Sequence, residues 1–425
     1  MNGLALDYSP WVESRTAWRS IDEFLALDAN GYGDGLHSIP GGELTLDVLF
    51  VNVSKLSDGS QKVLPVFFSG AVTARQGKPG PFFSGSGVAK TLDVAVLCLA
   101  DPSLAMDPQL GLAWYAGNGR QSTQALITRV LAGIAARLDV ELLLIGGSGG
   151  GFAALQFAGR LGGIASALVW NPQTDFLKYY RSSVQPYLEA CFPGGTGVSS
   201  TKAGQVAKLA REGVRHEVIT AYAADEMPKR LLYVQNASDT FHVERHAVPF
   251  IEGLGMRAID QHRYATLDGN GMLWFGDWGI GHDAMPKNLL IPLVSRLLDP
   301  SIGVVECAEW LQENAPRGNA KVPLSFAGTG TRASLQVRAN LSETGLEVHC
   351  TWEDKEECIP PQYAFYVFSG EERVQTRWYE ASSTARFPVI PDKPPTRVVG
   401  FAKDSFGDKI YAMTNAASKD LANNG

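Results

Sequence analysis

The sequence predicts an α/β protein, a mostly parallel sheet flanked by helices, followed by a separate all-β domain. The first observation is a set of short apolar runs, including 93–99 and 230–235, with the length of buried strands. The second is that segments with helical spacing lie between these runs, as parallel strands with crossover helices require. The third is a change after residue 300 to strand-like runs about ten residues apart, which is typical of a β-sandwich.

The composition is that of a globular protein, with 45% hydrophobic and 19% charged residues among 425. This length predicts two or three domains. The net charge of -7 argues against a nucleic-acid partner. No apolar run reaches the ~18 residues of a membrane span, and the N-terminus lacks a signal-peptide pattern. The 5 cysteines are scattered, which favours reduced thiols. We therefore expect a cytoplasmic protein.

Residues 1–40 are expected to form an N-terminal extension packed on the core, because tryptophans such as Trp11 and Trp18 are rarely left in solvent. Two strands are predicted next, at 44–53 and 63–68. The Asp-Gly pair at 58–59 is a turn signal, so these two strands are predicted to form a hairpin.

An amphipathic helix is predicted over 122–138, where apolar residues recur at spacings of three and four. Further strands are predicted at 167–170 and 230–235, and a helix at 291–298 closes the unit. Together these elements predict one α/β domain over 41–300.

The centre of this domain is Gly146-Gly147-Ser148-Gly149-Gly150, which lies between an apolar strand and a helix. This is the pattern of a nucleophile elbow, in which a serine sits on a strained turn and small neighbours let the turn close. A phosphate loop is disfavoured because no Lys-Ser/Thr pair follows the glycines. A dinucleotide fingerprint is disfavoured because the next strand does not end in an acidic residue.

Residues 173–227 form a long insertion rich in aromatic residues. Its position after the strand beyond the elbow predicts a cap over the site, with Tyr179 and Tyr180 contacting the substrate. The alternative is a set of surface helices with no role in activity.

A serine nucleophile needs a base to take its proton and an acid to orient that base. The expected chain order is Ser, then Asp or Glu, then His. His282, in a glycine-flanked loop before the closing helix, is the predicted base. Asp239, just after the strand 230–235, is the predicted acid. The alternatives for the acid are Glu244, Asp268 and Asp277.

Two further histidines, His242 and His246, lie one helical turn apart. A metal pair at this spacing is conceivable, but no third ligand accompanies it, so no metal site is predicted. We expect both to line the rim of the site or pack locally, and His242 to contact substrate. Cys350 and Cys358 would pair in an exported protein, but free thiols are favoured.

The oxyanion of the reaction needs two backbone N–H donors. Gly149, after the nucleophile, is predicted to supply one, and Gly70 or Ala71, in the loop after an early strand, the other. Three more residues are candidates for substrate binding, with a solvated or core position as the alternative for each: Arg75, Trp114 and Tyr115.

The last part of the chain, 301–425, is predicted to be a β-sandwich domain. Exposed aromatic residues there would bind a glycan or a partner. The alternative is that the domain only packs against its neighbour.

The segments GGSGGGFAAL, NASD and GIGH, in that order, resemble the α/β-hydrolase superfamily over roughly residues 45–300. The segments FFSGA, PFFSGSG, AWYAG, NPQTD and QNASDTFH are similar to bacterial hydrolases found with capsule, glycosyltransferase and accessory-secretion gene clusters. That resemblance implies a carbohydrate O-acetyl esterase or acetyltransferase. The sequence departs from many lipases in having Ser69-Gly70 where those have His-Gly.

The sequence thus predicts a serine hydrolase that acts on a small-molecule or glycan ester through an acyl-enzyme, without a metal or organic cofactor. A homo-oligomer is compatible with this prediction. One alternative is acyl transfer by the same residues. Another is a binding or assembly protein on an inactive hydrolase scaffold.

Overall fold

The computed structural model divides the chain into two compact units, 1–324 and 325–425. The structure describes residues 6–28, 31–57, 59–73, 75, 78–193, 202–224, 226–260, 262–316, 333–342, 344–354, 362–403 and 409–418.

The first unit contains one sheet of eleven described strands in the order β1-β2-β3-β5-β4-β6-β7-β8-β11-β10-β9. From β5 to β11 all neighbours are parallel, and β3 is antiparallel to both β2 and β5. The strands are β1 (Arg15–Ala17), β2 (Gly35–Pro40), β3 (Thr45–Val51), β4 (Val63–Phe68), β5 (Val96–Leu99), β6 (Glu141–Gly147), β7 (Ala165–Trp170), β8 (Arg230–Asn236), β9 (Arg257–Ala258), β10 (Arg263–Ala265) and β11 (Gly271–Gly276).

Helices cover both faces of this sheet, which is why its central strands are apolar throughout. The helices are α1 (Ile21–Leu25), α2 (Ser86–Leu92), α3 (Thr123–Leu138), α4 (Ser148–Leu161), α5 (Arg181–Cys191), α6 (Lys202–Arg211), α7 (Ile219–Ala223), α8 (Thr240–His242), α9 (Val248–Gly253), α10 (Lys287–Leu297) and α11 (Val304–Asn314). Apolar side chains of α2, α10 and α11 form one core cluster with β6, β8 and β11. The helices α3 and α4 form a second layer, in which α4 contacts β6 and β7. Within the described part of the chain, no helix is both long and apolar enough for a membrane crossing.

The predicted hairpin of the strands at 44–53 and 63–68 is wrong. The strand β5 lies between them, antiparallel to β3 and parallel to β4. All four residues of β5 are buried, so it belongs in the interior of the sheet and not at an edge. A local turn signal cannot reveal such an insertion, because the inserted strand comes later in the chain.

Part of the predicted N-terminal extension joins the sheet itself, as β1 and β2. The strand β2 carries two buried polar residues, which hides its strand character in the sequence. Trp18 donates to His37 over 3.2 Å, and Ser38 donates to Asp47 over 2.6 Å. These bonds let His37 and Ser38 lie in the interior without unpaired polar atoms.

The first unit extends beyond residue 300, where the sequence analysis places the domain boundary. The helix α11 follows α10 and buries Val304, Cys307 and Leu311 in the core cluster. The division falls at 324 because this apolar helix belongs to the α/β core.

The second unit consists of two four-stranded sheets among its described residues, as predicted for a sandwich. Their orders are β16-β13-β12-β19 and β15-β14-β17-β18. Inward residues such as Val348, Phe365 and Val398 form one apolar core, and Cys350 is buried with them. Cys358 lies outside the described residues. The strands are β12 (Ala333–Ser342), β13 (Gly345–Asp354), β14 (Gln362–Ser369), β15 (Glu372–Glu380), β16 (Thr384–Phe387), β17 (Arg397–Lys403), β18 (Lys409–Asn415) and β19 (Ala417–Ser418).

Candidate active site

Ser148 lies at the sharp turn between β6 and α4, with a φ of 54°. A serine in this left-handed conformation is strained, so the surrounding structure must hold it there. The predicted need for small neighbours follows from the packing. A Cβ on Gly146 would lie 2.3 Å from the backbone of Gly150, and one on Gly150 would lie 2.4 Å from the carbonyl oxygen of Phe68.

Replacing Gly150 with Ala is expected to lower the free energy of unfolding by about 1–3 kcal/mol, because the new methyl meets backbone atoms that have little room to move. Urea denaturation checks this. Gly87→Ala is the control, since nothing lies within 4 Å of its added Cβ in α2. It is expected to leave stability unchanged or raise it by about 0.5 kcal/mol. Equal losses in both variants would contradict the packing argument.

Asp239 follows β8 and begins α8, where its Oδ1 accepts a hydrogen bond of 3.2 Å from the backbone N–H of His242. Its other oxygen, Oδ2, lies 2.6 Å from Nδ1 of His282. Burial alone would raise the pKa of Asp239, but the contacts with His242 and His282 outweigh burial and hold that pKa below its ordinary value. The carboxylate is therefore ionised at neutral pH.

His282 lies in the loop after β11, and the loop that carries Asp239 holds this loop in place. The Nδ2 of Asn236 donates to the carbonyl of Gly281 over 2.8 Å, and Ser238 donates to the carbonyl of Gly279 over 2.7 Å. The side chain of His282 is 36% exposed, so its free edge is open to solvent. Asp239 contacts His282, whereas Asp268 accepts hydrogen bonds from Thr266 and Asn270.

The second histidine, His242, packs in the interior, which is one of the two positions that its sequence left open. It is 1% exposed, so it is a buried side chain and not a rim residue. Its ring stacks on the ring of His282, with centroids 4.0 Å apart and planes at 14°. Its Nδ1 lies 2.9 Å from Oδ2 of Asp239, although the geometry is too oblique for a regular hydrogen bond. One carboxylate oxygen therefore faces two imidazoles.

Gln173, which was not among the predicted site residues, lies next to Ser148 and is fully buried. Its Nε2 donates to Oγ of Ser148 over 3.0 Å and lies 2.9 Å from Nε2 of His242. Its Oε1 accepts a 3.0 Å hydrogen bond from the indole N–H of Trp114. The polar run NPQTD directly after β7, at the edge of the sheet where functional loops gather, was the available signal.

Two of the predicted oxyanion donors, Gly149 and Gly70, lie beside Ser148. Gly149 is in the first turn of α4, where backbone N–H groups have no partner within the helix. A Cβ on Gly70 would lie 3.9 Å from Cβ of Ser148, so the backbone of this residue passes close to the elbow. The N–H of Ser69 is already bonded to the hydroxyl of Tyr115, which leaves Gly70 or Ala71 as the expected second donor.

Three of the predicted substrate contacts are buried structural side chains. Arg75 is 4% exposed and donates to backbone carbonyls of the 107–110 loop. The hydroxyl of Tyr115 donates to the carbonyl of Leu99 over 2.9 Å. Trp114 is 1% exposed, and it contacts the site through its hydrogen bond to Gln173 and through the ring of Tyr179, with centroids 6.2 Å apart. All three therefore pack inside the loops around the site, and their contact with substrate stays a prediction.

The two tyrosines of the predicted cap do lie near the catalytic candidates. The ring of Tyr179 contacts His242 at 5.8 Å and Phe241 at 5.8 Å between centroids. Burial raises the pKa of Tyr179 to about 12. Tyr180 stacks on Phe241 at 4.2 Å and remains 46% exposed. Together these rings form an apolar wall next to His242.

The cluster of Asp239, His242 and His282 also has the residue types of a metal site. Its distances fit hydrogen bonding better. Donor atoms around a tetrahedral zinc lie about 3.3 Å apart, given bonds of about 2.0 Å. The carboxylate oxygen is only 2.6 and 2.9 Å from the two nitrogens. In the pair His242 and His246, Nδ1 of His246 accepts a hydrogen bond from the N–H of Thr174.

The strand order and the positions of Ser148, Asp239 and His282 after β6, β8 and β11 confirm the predicted α/β-hydrolase fold. The sandwich follows it along the chain, as predicted.

No protein-family model and no curated protein matches the sequence. Solved structures show distant similarity. The capsule O-acetyltransferase of Neisseria meningitidis serogroup A is 13% identical with a TM-score of 0.43, and the match covers 64% of this chain and 98% of that one. Acetyl xylan esterase 1 from Thermoanaerobacterium sp. JW/SL YS485 is 11% identical with a TM-score of 0.37, covering 70% and 94%. These similarities are too weak to bear on activity, which has to be inferred from the site.

Proposed function

We propose that the chain is a serine hydrolase that acts on carboxylic esters, with Ser148 as nucleophile, His282 as base and Asp239 as the acid that orients the base. The observation that carries this proposal is the 2.6 Å contact between Asp239 and His282, at the same edge of the sheet as the strained Ser148. An ionised acid on Nδ1 leaves Nε2 of His282 free to accept a proton.

In the proposed reaction, Oγ of Ser148 bonds to the carbonyl carbon while its proton passes to Nε2 of His282. The π electrons of the carbonyl move onto its oxygen, which the N–H groups of Gly149 and of Gly70 or Ala71 stabilise. Collapse of this tetrahedral intermediate re-forms the carbonyl and breaks the ester C–O bond, and the departing alcohol takes the proton from His282. Water then attacks the acyl group on Ser148, again with His282 as base, and releases the acid.

The proposed substrates are small-molecule or glycan esters, including the O-acetyl groups that the sequence resemblance implies. The exposed Tyr180, stacked on Phe241, offers an apolar surface for the part of the substrate next to the ester. Hydrolysis is favoured over acyl transfer, because the 36% exposure of His282 gives water access to the base, whereas transfer requires water to be excluded.

A fluorophosphonate probe tests the proposal. We expect the protein to gain the mass of one phosphonyl group, on the peptide that contains Ser148, and to hydrolyse short p-nitrophenyl esters. Failure of both reactions would overturn the enzyme proposal and favour a binding or assembly protein. Labelling without hydrolysis, together with acyl transfer to a sugar hydroxyl, would replace hydrolase with acyltransferase.

The base can be tested by chemical rescue. His282→Ala is expected to lower ester hydrolysis by about 10³-fold or more, because nothing then takes the serine proton. Added imidazole is expected to restore part of the rate, since the deleted ring is 36% exposed and leaves an accessible space. Full activity in His282→Ala without imidazole would exclude His282 as the base.

A further inference from the structure

We propose that Gln173 is a further catalytic residue, whose amide donates one hydrogen to the nucleophile and the other to His242, so that His242 stays neutral and His282 serves as the base. This inference rests on the proposed hydrolase function for its catalytic part. The observation that supports the inference is the fixed orientation of the Gln173 amide.

Trp114 fixes that orientation. An indole N–H can only donate, so the Gln173 atom 3.0 Å from it must be the carbonyl oxygen. Trp114 cannot turn away, because it is 1% exposed and stacked on Phe176 with centroids 5.0 Å apart. The NH₂ group of Gln173 must therefore face Ser148 and His242.

The two hydrogens of this NH₂ group have two acceptors. Oγ of Ser148 is 3.0 Å away and Nε2 of His242 is 2.9 Å away. An amide nitrogen has no lone pair to offer, so Nε2 of His242 must be the unprotonated nitrogen. The ring proton of His242 then lies on Nδ1, which faces the ionised Asp239 at 2.9 Å.

This arrangement disfavours the charged form of His242. A second ring proton on Nε2 would point at the N–H groups of Gln173, with no acceptor there. Burial, together with the nearby His282, lowers the pKa of His242 to about 4, against the opposing effect of Asp239. The other rings that contact His242 are those of Phe241, Tyr179 and the neutral, buried His246. His242 is a positioning residue, because it acts through Asp239 and Gln173.

The hydrogen bond to Ser148 gives Gln173 its catalytic role. As the serine proton moves to His282, negative charge grows on Oγ, and a donor to that oxygen binds more strongly. In the acyl-enzyme Oγ is an ester oxygen, which accepts a hydrogen bond less well. The donor therefore stabilises the transition state more than the states on either side of it.

The first test is NMR titration of the protein with ¹⁵N-labelled histidine, with His242 assigned by its loss in His242→Gln. We expect His242 to stay neutral from pH 8 to pH 5. In Gln173→Glu a carboxylate would accept a hydrogen bond from Nε2–H, and the pKa of His242 is expected to rise by about two units or more. Titration of His242 near pH 6.5 in the unchanged protein, or no rise in Gln173→Glu, would overturn the inference.

The second test is the rate of fluorophosphonate labelling. Gln173→Met, which keeps the length but loses the donor, is expected to react about 10- to 100-fold more slowly, the loss of one hydrogen bond to a charged group. Gln124→Met is the matched control, since this buried glutamine bonds to Arg215 and Arg160 instead. Equal rates in Gln173→Met and the unchanged protein would overturn the catalytic role.

A further variant covers the case in which Gln173→Met fails to fold. Trp114→Phe keeps Gln173 but removes the N–H that orients its amide, and it is expected both to slow labelling and to raise the pKa of His242. If neither changes, the orientation argument is wrong. A protein that resists the probe but keeps His242 neutral would overturn the hydrolase proposal and the catalytic role, and leave the neutral state of His242 standing.

Discussion

Ser148→Ala is expected to lower ester hydrolysis by about 10⁴-fold or more and to abolish labelling by the fluorophosphonate probe. The hydroxyl oxygen is the atom that bonds to the carbonyl carbon, and an alanine methyl offers nothing in its place. The turn itself should persist, because its closure depends on the glycines at 146 and 150 and not on the hydroxyl. Steady-state rates with p-nitrophenyl acetate measure the loss.

Ser86→Ala is the matched control for this variant. Ser86 is also the first residue of a helix, α2, but it lies outside the candidate site. We expect its activity and labelling to equal those of the unchanged protein. If Ser148→Ala retained more than a small fraction of the rate, another nucleophile would have to be sought.

Asp239→Asn is expected to lower the turnover number by about 10⁴-fold, as acid-to-amide changes do in triads that use a histidine base. The loss of activity follows from the contacts of Asp239, because its Oδ2 faces Nδ1 of both His282 and His242. An amide NH₂ at that place would oppose two ring N–H groups, so His282 would lose the tautomer that leaves Nε2 free. Asp268→Asn is the control and should keep its activity, since Asp268 accepts hydrogen bonds from Thr266 and Asn270 within its own turn.

The same variant should also change how stability depends on pH. Because the pKa of Asp239 is below its ordinary value in the folded protein, its ionised form contributes stability above about pH 4. That contribution is lost as pH falls towards the folded-state pKa. The melting temperature of Asp239→Asn should therefore be lower than that of the unchanged protein at pH 7, and the difference should narrow below pH 4. A constant difference would contradict this linkage.

The parts of the site that the sequence predicted are those fixed by local pattern and chain order. Ser148 is marked by its glycines, and Asp239 and His282 by their places after successive strands of the sheet. These features need no knowledge of distant contacts. The same holds for the strands and the long helix of the α/β unit, whose apolar patterns are strong.

The parts that the sequence did not predict depend on residues far apart in the chain. The side chain of Gln173 contacts Trp114 and His242, which are 59 and 69 positions away. The burial of Arg75 depends on carbonyls 32 and 35 positions further on. The position of β5 between β3 and β4 likewise depends on contacts between segments that are distant in the chain. Residue type and spacing do not encode such pairings.

The crowding around the elbow restricts how the sequence of this enzyme candidate can change over time. A side chain on Gly147 would collide with the ring of Trp170 at 2.2 Å, one on Gly149 with Leu112 at 2.4 Å, and one on Gly151 with Pro172 at 2.7 Å. A lineage that lost the hydroxyl at 148 could not regain it at an adjacent position without rebuilding the turn. Within this turn the proposed nucleophile can therefore stand at position 148 and not at a neighbouring position, and mutational libraries that explore new activities should leave the five surrounding glycines unchanged.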